Sequence, residues 1–251
     1  MLKPVKSEII YGIHPVFEAL NAARRHFYEL YVENKKIPKR LNRLLALADS
    51  QKISIKKIKS AEFNAILGDC VHQGIAAKVS AYPFVAIDEF VAADKSQNSN
   101  EWLLLLDNIQ DPHNLGALIR TAACVGVDGV IIPQDRSVSP TPAVSKVSAG
   151  ALELVKLARV KNMVRTVNTL KESGLWIFGM DQHASSSVYA SDFTGPIAIV
   201  IGGEGKGIRP LVKRNCDMLI SIPQVGSINS LNASVAGAVV MYEAVRQRQL
   251  S

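Results

Sequence analysis

Three apolar runs constrain this chain most: WLLLLD at residues 102–107, IAIVI at 197–201 and MLISI at 218–222. Each passes into a glycine- and asparagine-rich stretch and then into a helical pattern. Those stretches are DPHNLGALIRTAA at 111–123, IGGEGKGI at 201–208 and ISIPQVGSINSLNASVAGA at 220–238. Continuous apolar runs of about five residues, separated by helical segments, are the pattern of parallel strands covered on both faces. In an open α/β sheet, ligands bind at loops leaving the carboxyl ends of strands, so three such loops point to one shared site.

The same alternation predicts strands near 102–106, 129–132, 175–179, 197–201 and 218–222, and a last helix over 232–248. The first turn of that helix holds Ala233, Ser234, Ala236, Gly237 and Ala238, small residues that admit a close neighbouring backbone or a ligand. The first 80 residues read as a second, smaller α/β unit. Its helices are expected at 15–23, 38–49 and 61–67, and its strands at 27–32, 53–56 and 75–79. Residues 81–100, ending in DKSQNSN, lack sustained periodicity and read as a linker. The expected organisation is therefore a domain over 1–80, a linker over 81–100 and a parallel-sheet domain over 101–251.

The net charge of +7 is unevenly placed: residues 1–80 hold 14 Lys or Arg against 7 Asp or Glu, and the remainder is balanced. Such asymmetry points to a negatively charged partner reached through the amino-terminal part, with a solvated basic surface as the alternative. Cys70, Cys124 and Cys216 are odd in number and widely spaced, so neither a disulfide framework nor a zinc site is indicated, and reduced core residues in a cytoplasmic protein are expected. His14, His26, His72, His113 and His183 form no HxxxH or HxH pattern, so no metal is indicated. No apolar run reaches the roughly 18 residues of a membrane helix.

The glycines of IGGEGKGI invite a phosphate-cradle reading, but Lys206 is followed by Gly207 where a P-loop needs Ser or Thr, and the dinucleotide spacing GxGxxG is missing. A plain strand-to-helix turn and another backbone-lined pocket stay open. Glu204, a carboxylate among glycines, is either a solvated turn charge or a partner for a cation. Arg120 is the candidate cation, read as lying among Leu118, Ile119 and Ala122 on an apolar helix face, where an unpaired arginine is costly. Asn114 is expected to cap that helix, and Ser230 and Asn232 to cap the last one. Gly226 and Asn229 imply a loop with positive backbone angles.

Taken together, the three stretches resemble the SpoU/TrmH family of RNA ribose 2′-O-methyltransferases, within the SPOUT class. The family's first motif is matched by Asn114, Gly116, Ala117, Arg120, Thr121 and Ala122. Its glycine-rich second motif is matched by Gly202, Gly203, Glu204 and Gly205. The third is matched by Ile222, Pro223, Gly226, Ser230, Leu231 and Asn232. IYGIHPVFEAL at 10–20 and DRSVSPTPAVSKVSAGALE at 135–153 are similar to the bacterial 23S ribosomal RNA guanosine 2′-O-methyltransferase branch. Transfer RNA is the alternative substrate, and a non-catalytic RNA-binding protein of the same fold the alternative function.

The resemblance implies an L30e-like amino-terminal domain that grips RNA and a catalytic domain with a carboxy-terminal trefoil knot. It also implies S-adenosylmethionine as cofactor and a homodimer that takes RNA, with neither DNA nor membrane as partner. Gly202, Gly203, Ile222 and Leu231 would contact the cofactor, and Asn114, Arg120, Glu204, Ser230 and Asn232 would form the reaction centre. A guanidinium with pKa above about 12 is a poor base. Arg120 is therefore expected to hold an RNA phosphate and stabilise the developing alkoxide, oriented by Glu204.

Overall fold

The computed structural model describes residues 7–35, 38–91, 101–227 and 230–250. In chain order the elements begin with β1 (Ser7–Tyr11), α1 (Ile13–Ala22), β2 (Phe27–Glu33), α2 (Asn42–Ser50), β3 (Ile55–Ile58), α3 (Ser60–Leu67) and β4 (Ile75–Ser80). They continue with β5 (Trp102–Asp107), α4 (Pro112–Val125), β6 (Gly129–Pro133), α5 (Pro142–Val147), β7 (Leu157–Val160), α6 (Met163–Glu172) and β8 (Trp176–Met180). Last come β9 (Ser186–Ser187), β10 (Ile197–Gly202), α7 (Pro210–Asn215), β11 (Met218–Ser221) and α8 (Ala233–Leu250). Two compact units result: residues 1–83 with 140–154, and 84–139 with 155–251.

The first unit holds a four-stranded sheet of order β1-β4-β2-β3, antiparallel except for the parallel β2–β3 pair. Buried residues are consecutive along β4, at Ile75–Ala77, and along β2, at Leu30–Val32, so both sheet faces are covered. Ile10, Leu30, Ile75, Ala77 and Val79 pack with Val16, Leu20, Leu41 and Leu44 of the α1–α2 side, whereas Tyr31, Ile58 and Ala76 pack on Phe63 of α3. β1 was not read from the sequence, because SEIIY is short and carries no clear period. The edge strand β3 exposes Lys56 and Lys57, charges that also deter edge-to-edge pairing.

Residues 140–154, assigned by the sequence reading to the carboxy-terminal domain, belong to this first unit. A buried ion pair holds them there. Arg25 Nε and Nη2 donate to Glu153 at 2.7 and 3.1 Å, and Ser145 Oγ donates to the same carboxylate at 3.0 Å. Burial pushes the Glu153 carboxyl up, and Arg25, Ser145 and Arg24 pull against it.

The second unit is a seven-stranded sheet of order β7-β6-β5-β10-β8-β11-β9, parallel in every pair. Every residue of β5 is buried, as its continuous apolar run requires. One sheet face packs Leu103, Leu105, Ile177, Ala198 and Val200 against Met163, Val167 and Leu170 of α6 and Val212 of α7. The other is covered by α4 and α8, whose backbones approach closely at Gly237: a side chain there would collide with Leu118. Gly237 therefore serves helix packing, whereas Ala233 and Ala236 at the start of α8 line a cavity. The strict strand-helix alternation expected from residue 101 breaks at β9, which follows β8 without a helix. The linker reading is also incomplete, since Ile87–Phe90 forms a 3-10 turn that buries Phe90 in this core, while 92–100 lie outside the described residues.

Candidate functional site

The site is built at the carboxyl ends of β5, β8, β10 and β11. Asp107, fully buried at the end of β5, fixes both ends of the glycine-rich turn after β10. Its carbonyl oxygen accepts from Gly203 N at 2.9 Å, while its carboxylate accepts from Arg209 N at 2.8 Å, Arg209 Nε at 2.8 Å and Arg209 Nη2 at 2.6 Å. Inside the clamp the chain doubles back, with Gly207 N donating to Gly203 O at 3.0 Å. A Cβ at Gly202 would meet the backbone of Gly207 and Ile208, and one at Gly203 the carbonyl of Asn108. Glycine is needed at both positions for close backbone approach.

Glu204 projects from this turn into a three-residue network. Its Oε1 accepts from Asn114 Nδ2 at 2.8 Å and Asn232 Nδ2 at 2.6 Å, and Asn232 Nδ2 also donates to Asn114 Oδ1 at 3.0 Å. Each asparagine is placed by a helix start. Asp111, and not Asn114, caps α4: its side chain accepts from His113 N at 2.9 Å, so the cap lies three residues earlier than expected and the helix carries Asn114, buried, in its first turn. Asn232 caps α8 as expected, its Oδ1 accepting from Ser234 N at 2.9 Å and from Ser234 Oγ at 2.6 Å. One amide thus joins a capping role to the network.

Arg120 departs from the sequence expectation. It is exposed, because a residue two positions beyond the inward-facing Leu118 lies about 200° round the helix. Among the described residues it makes no hydrogen bond or ion pair, so Glu204 does not orient it. Gly226 likewise lacks the expected positive φ, which Gly205 and Gly207 have instead, and Asn229 lies outside the described residues. The expectation of core cysteines fails for Cys124, which is exposed, while Cys70 is half-buried and Cys216 is half-buried against the core of the second unit. Burial pushes the Cys216 thiol up to about 12, which leaves it no thiolate for chemistry near neutral pH.

A cavity of about 600 Å³ opens beside the network. Gly202, Gly203, Glu204, Ile222, Ser230, Leu231 and Asn232 all line it. Asn114 joins through its hydrogen bonds, and Arg120 stands outside the lining. The sequence reading missed a further wall, Met180 to His183 after β8, with Lys213 ion-paired to Asp181. The signal was available: LWIFGM at 175–180 is another apolar run ending in polar residues. Ile201, Ile208, Ile220, Ile222, Leu231 and Ala236 give an apolar wall, facing the carboxylate of Glu204.

A parallel sheet with a partly apolar pocket at its strand ends, rimmed by backbone groups, the carboxylates of Glu204 and Asp181 and the ammonium groups of Lys206 and Lys213, defines a class: an α/β protein built to bind a compact ligand with an apolar part and charged groups. Residues 101–242 match the SpoU rRNA Methylase family, and residues 9–85 match a family described as RNA 2′-O ribose methyltransferase substrate binding. The chain belongs to the SpoU rRNA methylase family. It is 43% identical to the 23S rRNA (guanosine-2′-O-)-methyltransferase RlmB of Photorhabdus laumondii, over 96% of this chain and 99% of that one. It is 42% identical to a putative TrmH family tRNA/rRNA methyltransferase of Staphylococcus saprophyticus, over 96% of each. Among solved structures, the SpoU methyltransferase AviRb from Streptomyces viridochromogenes in complex with AdoMet superposes with a TM-score of 0.80 at 25% identity, covering 98% of this chain and 92% of that one.

Proposed function

We propose that the protein transfers a methyl group from S-adenosylmethionine to the ribose 2′-hydroxyl of a guanosine in 23S ribosomal RNA. The observation that carries the reading is the Asn114–Glu204–Asn232 network standing at the mouth of the strand-end cavity. The cavity fits the cofactor in chemistry as well as size: its apolar wall suits an adenine ring, the Glu204 carboxylate suits a cationic sulfonium or ammonium, and Lys206 and Lys213 suit a carboxylate. Gly202, Gly203, Ile222 and Leu231 would hold it, mainly through backbone groups. When bound, the cofactor supplies an electrophilic methyl group.

The residues of the chain then orient the acceptor and stabilise charge. Glu204 Oε1 is occupied by two amides, whereas Oε2 makes no hydrogen bond among the described residues and is free to accept one from a ribose hydroxyl. Ser230, exposed at the rim, is placed to position the same ribose. Arg120, unpaired and solvent-facing, binds an RNA phosphate bidentately and stabilises the developing alkoxide. In-line placement supplies much of the rate. The same reading makes residues 1–80 the RNA-gripping domain, through Lys35, Lys39, Arg40, Lys56, Lys57 and Lys36, the last outside the described residues. The second unit, 84–139 with 155–251, is the catalytic domain, trefoil-knotted and acting in a cytoplasmic homodimer. Exposed Val235 and Tyr242 on α8 support such pairing.

The test is methyl transfer from labelled S-adenosylmethionine to unmethylated 23S ribosomal RNA and to bulk transfer RNA, with products mapped for alkali-resistant linkages. Label at one guanosine of the 23S RNA is the expected result. Label confined to transfer RNA would overturn the substrate, and none on either would overturn the activity.

A further inference from the structure

The first unit holds a second cavity, of about 390 Å³, lined by residues from the end of β2, the turn before α2 and the α3–β4 loop. Two of its walls have fixed hydrogen-bonding polarity. Gln73 Oε1 accepts from Ile13 N at 3.1 Å and from Lys146 Nζ at 3.1 Å. Both partners can only donate, so the amide orientation is settled and Gln73 Nε2 is left as the outward group. His72 Nδ1 accepts from Gly74 N at 3.1 Å, which places the proton of the neutral ring on Nε2, and the ring is stacked on Phe63 at 4.6 Å and 12°. Among the described residues no buried side-chain nitrogen or oxygen lacks a partner. Neither Gln73 Nε2 nor His72 Nε2 has a partner among the described residues, so both are accessible N–H donors there.

The rim is basic. Arg40 is exposed and makes no ion pair or hydrogen bond among the described residues. Lys35 sits on Glu33 at 2.8 Å, and Ser60 Oγ donates to the same Glu33 oxygen at 2.6 Å, so the one carboxylate of the cavity is already partnered. These contacts hold the Glu33 carboxyl below its usual range, Lys35 contributing most. Beside the donors, Val71 presents an apolar side chain that is 75% exposed. Fixed N–H donors, a free guanidinium and one bare apolar contact select an acceptor-rich, flat, anionic ligand.

We propose that this cavity receives a single unpaired nucleotide of the RNA substrate. The nucleobase offers its carbonyl and ring-nitrogen acceptors to Gln73 Nε2 and His72 Nε2, its face to Val71, and the adjoining phosphate to Arg40. A nucleobase inside a duplex cannot enter, because its acceptors are paired and its faces stacked. The proposal rests on the RNA methyltransferase reading for the identity of the polymer, and the donor pattern adds that the ligand is rich in acceptors and anionic. It makes the amino-terminal unit a reader of single-stranded structure in addition to a basic surface.

The experiment compares binding of the full chain to two fluorescent RNAs at fixed salt: a hairpin with an unpaired loop, and the same strand annealed to its complement. The Arg40→Ala, Val71→Asp double variant changes only exposed side chains. The variant lowers the net charge by two, so duplex binding weakens as well, and hairpin binding is expected to fall about tenfold further than duplex binding. Lys56→Ala, outside the cavity, is expected to weaken both RNAs alike. Equal effects of the double variant on the two RNAs, or no effect on either, would overturn the proposal. Guanosine monophosphate supplies a further arm: displacement of the hairpin label only at large excess supports RNA as the source, and displacement at concentrations matching the hairpin's own affinity would overturn it in favour of a free nucleotide. Methyl transfer is measured separately, so a loss of hairpin preference and an absent transferase activity are told apart.

Discussion

Asn114 and Arg120 stand on the same helix, about 9 Å apart along its axis, and the fold treats them oppositely. Asn114 is buried and spends both ends of its amide on Glu204 and Asn232. Arg120 faces solvent and spends nothing. A side chain already bonded to its neighbours sets the geometry of a site, and one left open is available to a substrate. The same division separates Asp107 and Arg209, which clamp the turn, from Ser230 and Leu231, exposed at the cavity rim. Geometry residues should reveal themselves in stability, and open residues in turnover.

The sharpest test of the first half is Arg209→Ala. It leaves Asp107 fully buried without its cation, a loss expected to cost about 3 kcal/mol, toward the low end for buried pairs because the guanidinium is 35% exposed. Urea denaturation measures it. A change under about 1 kcal/mol would mean that water replaces the arginine and that the clamp is dispensable.

Arg120→Ala is the mirror experiment. Turnover should fall about 10²-fold or more, equivalent to roughly 2.7 kcal/mol of barrier, while cofactor affinity and melting temperature stay near wild type. A variant that loses stability instead would place Arg120 among the geometry residues. One that keeps its turnover would remove it from the reaction altogether.

Asn232 belongs to both groups, so two variants split its roles. Asn232→Ala removes the α8 cap and should cost about 1 kcal/mol of stability as well as turnover. Asn232→Asp keeps a capping oxygen but sets a second carboxylate against Glu204. Stability should be largely retained in that variant and turnover lost. If both variants behave alike, the network has no role beyond the cap.

The contrast also marks how far the sequence could be read. β5 and β10 each hold a run of five buried apolar side chains, and their bounds follow from composition alone. β7 is only four residues long and exposes Arg159, which stacks on Phe84 at 4.2 Å, so no apolar run announces it. The return of 140–154 to the first unit depends on Arg25 meeting Glu153 from 128 residues away, which no local pattern encodes. At the site, the glycine turn and its carboxylate were legible from spacing. The partners of Glu204 were not, because Asn114 and Asn232 meet across 118 positions. Arg120 was misplaced because its apolar neighbours in sequence are not its neighbours in space.

The smallest expected effect comes from a carboxylate that is bonded yet lies outside the cavity lining. On α8, Glu243 accepts from Arg246 Nη2 at 2.7 Å, Arg246 Nε at 2.8 Å and Gln247 Nε2 at 2.8 Å. The Arg246 hydrogen bonds hold its carboxyl down to about 2, from an ordinary value of 4.5. A depressed carboxyl contributes stability that is fully present above the unfolded value and disappears as pH falls through the folded one. Wild type should therefore lose this contribution between pH 4.5 and about 2, and Glu243→Gln should flatten that interval while leaving methyl transfer at neutral pH intact. Because Arg246 is solvent-exposed, screening keeps the difference small. Parallel acid unfolding of the two proteins would show that the pair contributes nothing, and a loss of turnover in the variant would show that α8 carries more of the site than the Asn232 end.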